Sequence, residues 1–212
     1  MILGIDTSLG TTVAVIEPDG VVVDQADSAD PLAHAEVIGT LLQRVAGGRE
    51  ITQVAAGMGP GPFTGLRIGI AAARAFALGG DGGRGIPVVP VVSHDAAALG
   101  VALADPFAEV PRFAVVTDAR RREFAYSVYD GIDGDGLPVR AVGPALAHRD
   151  EIDDVLAGLG ARRHDVHAVS GAMVALAAAR ALAAARRIGP DDALYLRSPD
   201  VAVPAVPKRV VS

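Results

Sequence analysis

Hydrophobic residues in the first half of the chain form short apolar runs and longer stretches with helical spacing. Polar turns, one of them Pro18-Asp19-Gly20, separate the short runs, which is typical of β-strands. Asp30-Pro31 predicts a helix N-cap followed by proline at the first helical position, and Gly47-Gly48 predicts the end of that helix. The pattern therefore predicts strands at residues 1–6, 12–17, 21–26, 52–58 and 87–92, and helices at 31–46 and 64–78.

The second half repeats much of this order. The same reasoning predicts strands at 112–118, 123–130, 137–143 and 167–171, and helices at 148–160 and 172–187, with residues 95–104 as a further candidate helix. Antiparallel strands that lead through a helix crossover into another strand resemble the ribonuclease H and actin-type core. We therefore expect an α/β protein with two ribonuclease H-like domains of mixed sheets, at residues 1–97 and 98–195, and an irregular proline-rich tail at 196–212.

Composition and charge narrow the class of protein. The 212 residues include no cysteine, which excludes a disulfide framework and a thiolate metal site and fits a cytoplasmic protein. The N-terminus, MILGIDTS, lacks the basic region of a signal peptide, and no uncharged apolar run reaches membrane-spanning length, so we expect a soluble protein. With 25 acidic and 19 basic residues the net charge is −6, which argues against nucleic-acid binding by this chain alone.

The loop at residues 57–62, GMGPGP, is followed at once by the second predicted helix, a position where backbone N–H groups often hold phosphate. A P-loop would also need a lysine, but the single lysine of the chain is Lys208. The dinucleotide pattern G-x-G-x-x-G fails as well, because Pro62 or Thr64 occupies its last position. Neither nucleotide motif is present.

The helix at 64–78 is apolar on nearly every side. Its charged residues, Arg67 and Arg74, are seven positions apart and therefore lie on one face. A helix of this kind must be covered on nearly all sides, either inside its own domain or by another protein chain. The pattern alone leaves both alternatives open.

The turn DTSLGTT, at residues 6–12, resembles the first phosphate-binding hairpin of actin-like ATPases. Its candidate phosphate-binding residues are Asp6, Thr7, Ser8, Thr11 and Thr12. Such ATPases also need a second acidic turn with glycine two residues after the aspartate, whereas here Asp118 is followed by Arg120, whose side chain would crowd a phosphate. The sequence contains no H-x-x-x-H pair and no G-x-S-x-G elbow. We therefore expect an ATPase fold with a vestigial nucleotide turn, no catalytic residues and no metal site.

Five stretches, in order along the chain, carry a resemblance to a known family. They are ILGIDTS with TTVAVIE, GMGPGPFTGLRIGIAAARAFALG, IPVVPVVS, TDARRREFAYSVYD and ALYLR. On these the chain is identified as resembling the TsaB (YeaZ) family, the bacterial partner subunits in the formation of threonylcarbamoyladenosine on tRNA next to the anticodon. It departs from the family where Pro62 replaces a serine and where His94-Asp95 replaces a Leu-Glu pair.

The resemblance implies a non-catalytic scaffold subunit that activates a TsaD-type catalytic subunit. It also implies that a TsaE-type ATPase completes the complex and that this chain forms a homodimer when it is alone. It implies that tRNA is bound only through the complex and that the chain holds no cofactor of its own. Whether a nucleotide binds at an interface shared with a partner stays open at this point. The family docks through helices that match residues 31–46 and 64–78, which favours a helix that is half core and half interface. The expected contact residues are Val37, Leu41, Leu66, Arg67, Ile70 and Arg74.

Two other classes of function stay open at this point. One is an active ATPase or sugar kinase of the actin-like superfamily. The other is a metal-dependent peptidase, a description attached to the wider glycoprotease family, although paired metal ligands are missing from the sequence.

Overall fold

A computed structural model describes residues 1–30, 33–104 and 111–197. The strands are β1 (Ile2–Asp6), β2 (Thr11–Ile16), β3 (Val22–Ser28), β4 (Gln53–Gly57), β5 (Val88–Val91), β6 (Phe113–Asp118), β7 (Glu123–Ile132), β8 (Pro138–His148) and β9 (Arg162–Asp165). The helices are α1 (His34–Ala46), α2 (Phe63–Gly83), α3 (Ser93–Leu103), α4 (Ile152–Gly158) and α5 (Gly171–Ala183). No helix in these ranges is long and apolar enough to cross a membrane.

The first sheet has the strand order β3-β2-β1-β4-β5. β1 pairs antiparallel with β2 and parallel with β4, so the sheet is mixed, as the sequence predicts. Alternate residues of β1 point to opposite faces: Leu3 and Ile5 pack against α1 and α2, whereas Ile2 packs in the other core. This alternation explains why every residue of β1 and β2 is buried.

The second sheet has the order β8-β7-β6-β9 and is also mixed. Ala114 and Val116 of β6 pack beneath α4, whereas Phe113 and Val115 face the opposite side. The two mixed sheets with helices on their faces confirm the expected α/β class.

Helices α3 and α5 lie between the two sheets. Their alanines join residues of both sheets in one core, which includes Ile2 and Ala14 of the first sheet and Phe113 and Tyr129 of the second. Small side chains allow this close approach. One close approach is at Gly4, where a Cβ would meet the Gly171 carbonyl oxygen and lie 3.0 Å from the Ala175 Cβ. α3 runs through the expected domain boundary at residues 97/98.

Several element boundaries differ from the sequence predictions. β8 continues to His148, five residues beyond the predicted strand, and α4 begins only at Ile152. α1 begins at His34 with Ala33 as N-cap, so Asp30 does not cap it; Pro31 lies outside the described residues. The last strand is Arg162–Asp165, whereas the predicted strand at 167–171 is a loop that leads into α5, with Val169 buried and His167, Ala168 and Ser170 exposed. Backbone angles at residues 80–82 are not helical, so the continuous part of α2 ends at Gly79. The tail from residue 198 lies outside the described residues.

Candidate functional site

The glycine-rich loop and the start of α2 pack directly against the first turn. Glycines at four-residue intervals face it: Gly57 contacts Asp6, Gly61 contacts Ser8, and Gly65 and Gly69 both contact Thr7. A Cβ would lie 2.8 Å from the Ser8 Cα at position 61 and 2.8 Å from the Thr7 carbonyl oxygen at position 65. The loop therefore uses its glycines to bring α2 against the turn, because a side chain at these positions would collide with it.

Asp6 is the centre of a buried hydrogen-bond network. Its carboxylate accepts bonds from the Ser8 backbone N–H at 2.7 Å, the Ser8 hydroxyl at 2.5 Å and the Ser93 hydroxyl at 2.5 Å. Ser93 Oγ in turn accepts the Gly59 N–H at 3.0 Å. Burial raises the pKa of the Asp6 carboxyl, and the bonds from Ser8 and Ser93 oppose that rise. This network ties β1, the loop and the start of α3 together.

The three threonines of the turn also bond inside the protein. Thr7 Oγ1 donates to the Gly65 carbonyl, and Thr12 Oγ1 donates to the Val169 carbonyl, each at 2.8 Å. Thr11 Oγ1 lies 2.8 Å from His34 Nδ1. The hydroxyl groups of these three threonines of the predicted nucleotide turn are thus already hydrogen-bonded within the protein. Ser8 and Asp118 are the members that line the neighbouring cleft.

The cleft lies between the two sheets and has a volume of about 290 Å³. Ser8, Phe63 and Tyr195 line one side, and Thr117, Asp118 and Arg120 line the other. The turn after Asp118 holds Arg120, Arg121 and Arg122 in the left-handed region, with φ of 61°, 50° and 62°. The Asp118 carboxylate accepts the Arg120 backbone N–H and pairs with Arg149 at 2.9 Å. Arg120 therefore occupies the position at which an actin-like ATPase would need glycine so that a phosphate could approach the backbone.

The six predicted contact residues on α1 and α2 fall into three groups. Leu66 is fully buried and Ile70 is 7% exposed, so both belong to the core of the first sheet and cannot meet a partner. Val37 and Leu41 are half-buried, and Arg67 and Arg74 are exposed. The placement of Leu66 and Ile70 at a contact surface is wrong, because a pattern that is apolar on every side does not indicate which side faces the sheet.

We call the exposed side of these two helices the α1–α2 face. It is lined by Glu36, Gly39, Thr40, Gln43 and Arg44 from α1 and by Thr64, Arg67, Ala71, Arg74, Ala75 and Leu78 from α2. Its residues near the middle are small, and Gly39 has open space beside it. Leu78 is 75% exposed, the largest value among the exposed large hydrophobic side chains of the described residues. The α1–α2 face therefore combines small residues, arginines and one exposed leucine.

Sequence reasoning missed a buried polar network where α3 meets the second sheet. His94 Nδ1 lies 2.9 Å from Ser127 Oγ, and its Nε2 lies 3.0 Å from Thr117 Oγ1. Burial, together with the smaller effect of the Arg140 charge, lowers the pKa of His94 to about 3. The sequence signal was the pair His94-Asp95 in place of the family's Leu-Glu, but its partners are 23 and 33 positions away.

Asp95 belongs to the same network. Its carboxylate accepts the Tyr129 hydroxyl at 2.8 Å and lies 3.7 Å from Arg140. Burial raises the pKa of Asp95 to about 6, against the lowering effects of Arg140 and the Tyr129 hydrogen bond. Together, His94 and Asp95 attach α3 to three strands of the second sheet.

A segment after α5, at residues 189–197, returns across the first domain. The Leu194 N–H donates to the Met58 carbonyl at 2.7 Å, and Tyr195 packs on Phe63 with ring centroids 4.8 Å apart. Arg74 donates to the Asp191 carbonyl at 2.8 Å, and Arg197 pairs with Glu123 of β7. This C-terminal segment therefore contacts both α2 and the second sheet beside the cleft.

Comparison with known proteins gives consistent results. Residues 18–160 match the family described as TsaD, tRNA N6-adenosine threonylcarbamoyltransferase. An uncharacterized protein of Mycobacterium tuberculosis is 38% identical over 173 residues, which cover 77% of this chain and 73% of that protein.

Two solved structures have the same fold. One is an uncharacterized protein with similarity to peptidase YeaZ from Pseudomonas aeruginosa, with a TM-score of 0.70 and 21% identity, covering 92% of this chain and 99% of the other. The other is YeaZ from Pseudomonas aeruginosa, with a TM-score of 0.67 and 20% identity, covering 89% and 94%. At these identities the structures establish the fold alone. Among the described residues there is no group of three or more His, Cys, Asp or Glu that could hold a metal ion.

Proposed function

The chain belongs to the TsaD family of tRNA N6-adenosine threonylcarbamoyltransferases, with the fold of its TsaB (YeaZ) members, and on that premise we propose that it is a non-catalytic scaffold subunit. In this proposal it binds and orients a TsaD-type catalytic subunit in the cytoplasm. A TsaE-type ATPase completes the complex, and tRNA is bound through the complex and not by this chain alone. When the catalytic subunit is absent, two copies associate through the same surface.

The observation that carries the proposal is the α1–α2 face. Gly39, Ala71 and Ala75 let a helix of another chain approach closely, and Arg67 and Arg74 provide charged contacts at the same surface. Arginine is enriched at protein–protein interfaces relative to the rest of the surface. Arg67 is already oriented, because its guanidinium stacks 3.9 Å from the Phe63 ring centroid. This preorganisation lowers the entropy lost when a partner binds.

The state of the first turn supports the non-catalytic part of the proposal. Asp6 and the turn threonines bond to α2, to α1 and to the loop before α5, so they stabilise the fold. The paired histidines of the catalytic relatives, H-x-x-x-H, are also missing from the sequence. The residues of the turn therefore have a structural role in the chain as it is folded.

Co-purification with the TsaD-type subunit of the same organism tests the proposal. Ala75→Arg places a long side chain at the exposed centre of the α1–α2 face, and Ala157→Arg on the exposed side of α4 is the matched control. We expect Ala75→Arg to weaken binding at least about tenfold, or about 1.4 kcal/mol, and the control to bind like the wild type. Equal binding by both variants would show that the partner binds elsewhere.

A tRNA modification assay tests whether this chain is non-catalytic, independently of which surface binds the partner. We expect threonylcarbamoyladenosine to form only when the TsaD-type subunit is present, and to form faster when this chain is added. Product formation by this chain alone would overturn the non-catalytic role, whatever the result of the binding experiment.

A further inference from the structure

The cleft between the two sheets has largely apolar walls. On the second sheet, Thr117, Ala125 and Leu146 are direct neighbours across β6, β7 and β8, so they form one row on the side that lines the cleft. On the opposite side lie Phe63 and Tyr195, whose rings pack on each other. Ala125 is the small residue in the middle of the row, and it leaves space between the two walls.

Two polar side chains that line the cleft already have partners inside the protein. Ser8 donates its backbone N–H and its hydroxyl to Asp6, and Thr117 Oγ1 lies 3.0 Å from His94 Nε2. A ligand group buried against these walls would therefore find few partners for its own polar atoms, and burial without partners is unfavourable. The walls favour an apolar body over a sugar or a base with many polar atoms.

The lining of the cleft is cationic, although the chain has a net charge of −6. Its described residues include one acidic side chain, Asp118, and three arginines, Arg120, Arg121 and Arg197. The Asp118 carboxylate is paired at 2.9 Å with Arg149, which is outside the lining, and Arg197 is paired with Glu123. The positive charge that the cleft offers therefore centres on Arg120, and it favours an anionic ligand.

The turn that carries Arg120 is strained. Arg120, Arg121 and Arg122 have φ of 61°, 50° and 62°, a region that is unfavourable for residues with a side chain. Strain of this kind is kept where the surrounding structure imposes it, and it is concentrated at ligand-binding sites. The Arg120 N–H bond to the Asp118 carboxylate, at 2.8 Å, holds the turn in place. The turn thereby keeps the exposed Arg120 side chain at the cleft.

The size of the cleft limits the ligand. The volume is about 290 Å³. At roughly 30 Å³ for each water-sized group, such a volume has room for about ten non-hydrogen atoms. One ring with a short acidic arm has this size, whereas a nucleoside triphosphate is much larger. Arg120 in place of glycine also keeps a phosphate away from the backbone of the turn.

We propose that the cleft binds a small organic anion that has one aromatic ring and a carboxylate. The ring lies between Tyr195 and Ala125, and the carboxylate pairs with the Arg120 guanidinium. A ligand in this position contacts residues of both sheets, so its binding stabilises the folded chain. The cleft is separate from the α1–α2 face, and the proposal therefore does not depend on the proposed function.

Binding of phenylacetate to the full chain, measured by ligand-observed NMR, tests this proposal. Phenylacetamide has the same size and shape without the charge, and acetate has the charge without the ring. We expect phenylacetate to bind at least about tenfold more tightly than either control. Binding that is equal for phenylacetate and one of the controls, or absent for all three, would overturn the proposal. Tighter binding of adenosine monophosphate than of phenylacetate would identify a nucleotide site and overturn it too.

Two arginines of the same turn give a matched pair of variants. Arg120→Gln removes the charge that faces the cleft, whereas Arg122→Gln removes one that is outside the lining and is paired with Asp150 at 3.4 Å. We expect Arg120→Gln to weaken phenylacetate binding at least about fivefold and Arg122→Gln to change it by less than about twofold. An equal effect of both variants would show that the probe follows general charge, and would overturn the proposal.

Ala125→Leu tests the space in the cleft without changing its charge. The larger side chain occupies the gap in the row on the second sheet, so we expect phenylacetate binding to fall at least about tenfold. Circular dichroism establishes that the variant is folded. Binding by the folded variant at the wild-type affinity would show that the probe binds elsewhere. If the variant does not fold, the comparison of Arg120→Gln with Arg122→Gln decides the question.

Discussion

Gly69 of α2 lies against the side chain of Thr7, and a Cβ at position 69 would meet Thr7 Oγ1 and lie 2.8 Å from Thr7 Cγ2. Thr7 cannot retreat easily, because its hydroxyl bonds to the Gly65 carbonyl one turn earlier in the same helix. The contact fixes the position of α2 on the first sheet. It also explains why glycine recurs every fourth residue from 57 to 69.

Gly69→Ala is expected to destabilise the protein by about 1–3 kcal/mol, because the added methyl forces α2 away from the turn. Gly39→Ala is the matched control in α1, where open space surrounds the glycine, and it is expected to be neutral or to stabilise by up to about 1 kcal/mol. Urea unfolding followed by circular dichroism measures both changes. Equal stability of the two variants would contradict the proposed packing role of Gly69.

His94→Gln tests the buried histidine through the pH dependence of stability. The folded pKa of His94 is about 3 and its ordinary value is 6.5, so its contribution is present above about pH 6.5 and is lost as the pH falls toward 3. Glutamine keeps polar atoms near Thr117 and Ser127 but does not titrate. The stability difference between wild type and variant should therefore shrink by about 1.4 kcal/mol per pH unit below about pH 6.5. A difference that stays constant with pH would show that His94 has the same pKa in the folded and unfolded states.

Asp95→Asn is expected to show the opposite dependence. The folded pKa of Asp95 is about 6 against an ordinary 3.8, so its contribution is full below about pH 4 and is lost as the pH rises through 6. Relative to the variant, the wild type should lose about 3 kcal/mol between these values. Denaturant midpoints across that range measure the change. Should the wild type instead gain relative stability as the pH rises, Arg140 would control this carboxylate more strongly than burial does.

Tyr195→Ala tests the C-terminal segment. Removal of the ring that packs on Phe63 is expected to loosen residues 189–197 and to cost about 1 kcal/mol beyond the buried area lost. Hydrogen exchange at the Leu194 amide, which bonds to Met58, reports the loosening directly. Tyr195→Phe keeps the ring and should exchange like the wild type. Unchanged exchange in the alanine variant would show that the main-chain bonds hold the segment without the aromatic contact.

The alternation of apolar residues was sufficient to predict most strands and helices, including β1, β2, β6 and α5. It failed at residues 167–171, where Val169 is buried in a loop and its carbonyl accepts the Thr12 hydroxyl. It also failed at Asp30, whose sequence context is that of an N-cap although α1 starts four residues later. At residues 167–171 a tertiary hydrogen bond to Thr12 replaces strand pairing, and before α1 the helix starts at a later residue than its local sequence predicts.

The amino-acid sequence by itself determined the α/β class, the two mixed sheets and the family, because these depend on local periodicity and on motifs contiguous in the chain. Only the tertiary structure decided that Leu66 and Ile70 face inward, that the turn at Asp6 bonds to α2, and that His94 reaches the second sheet. The reason is physical: side-chain pattern reports which residues avoid water, whereas the element that covers each of them is set by contacts between distant parts of the chain.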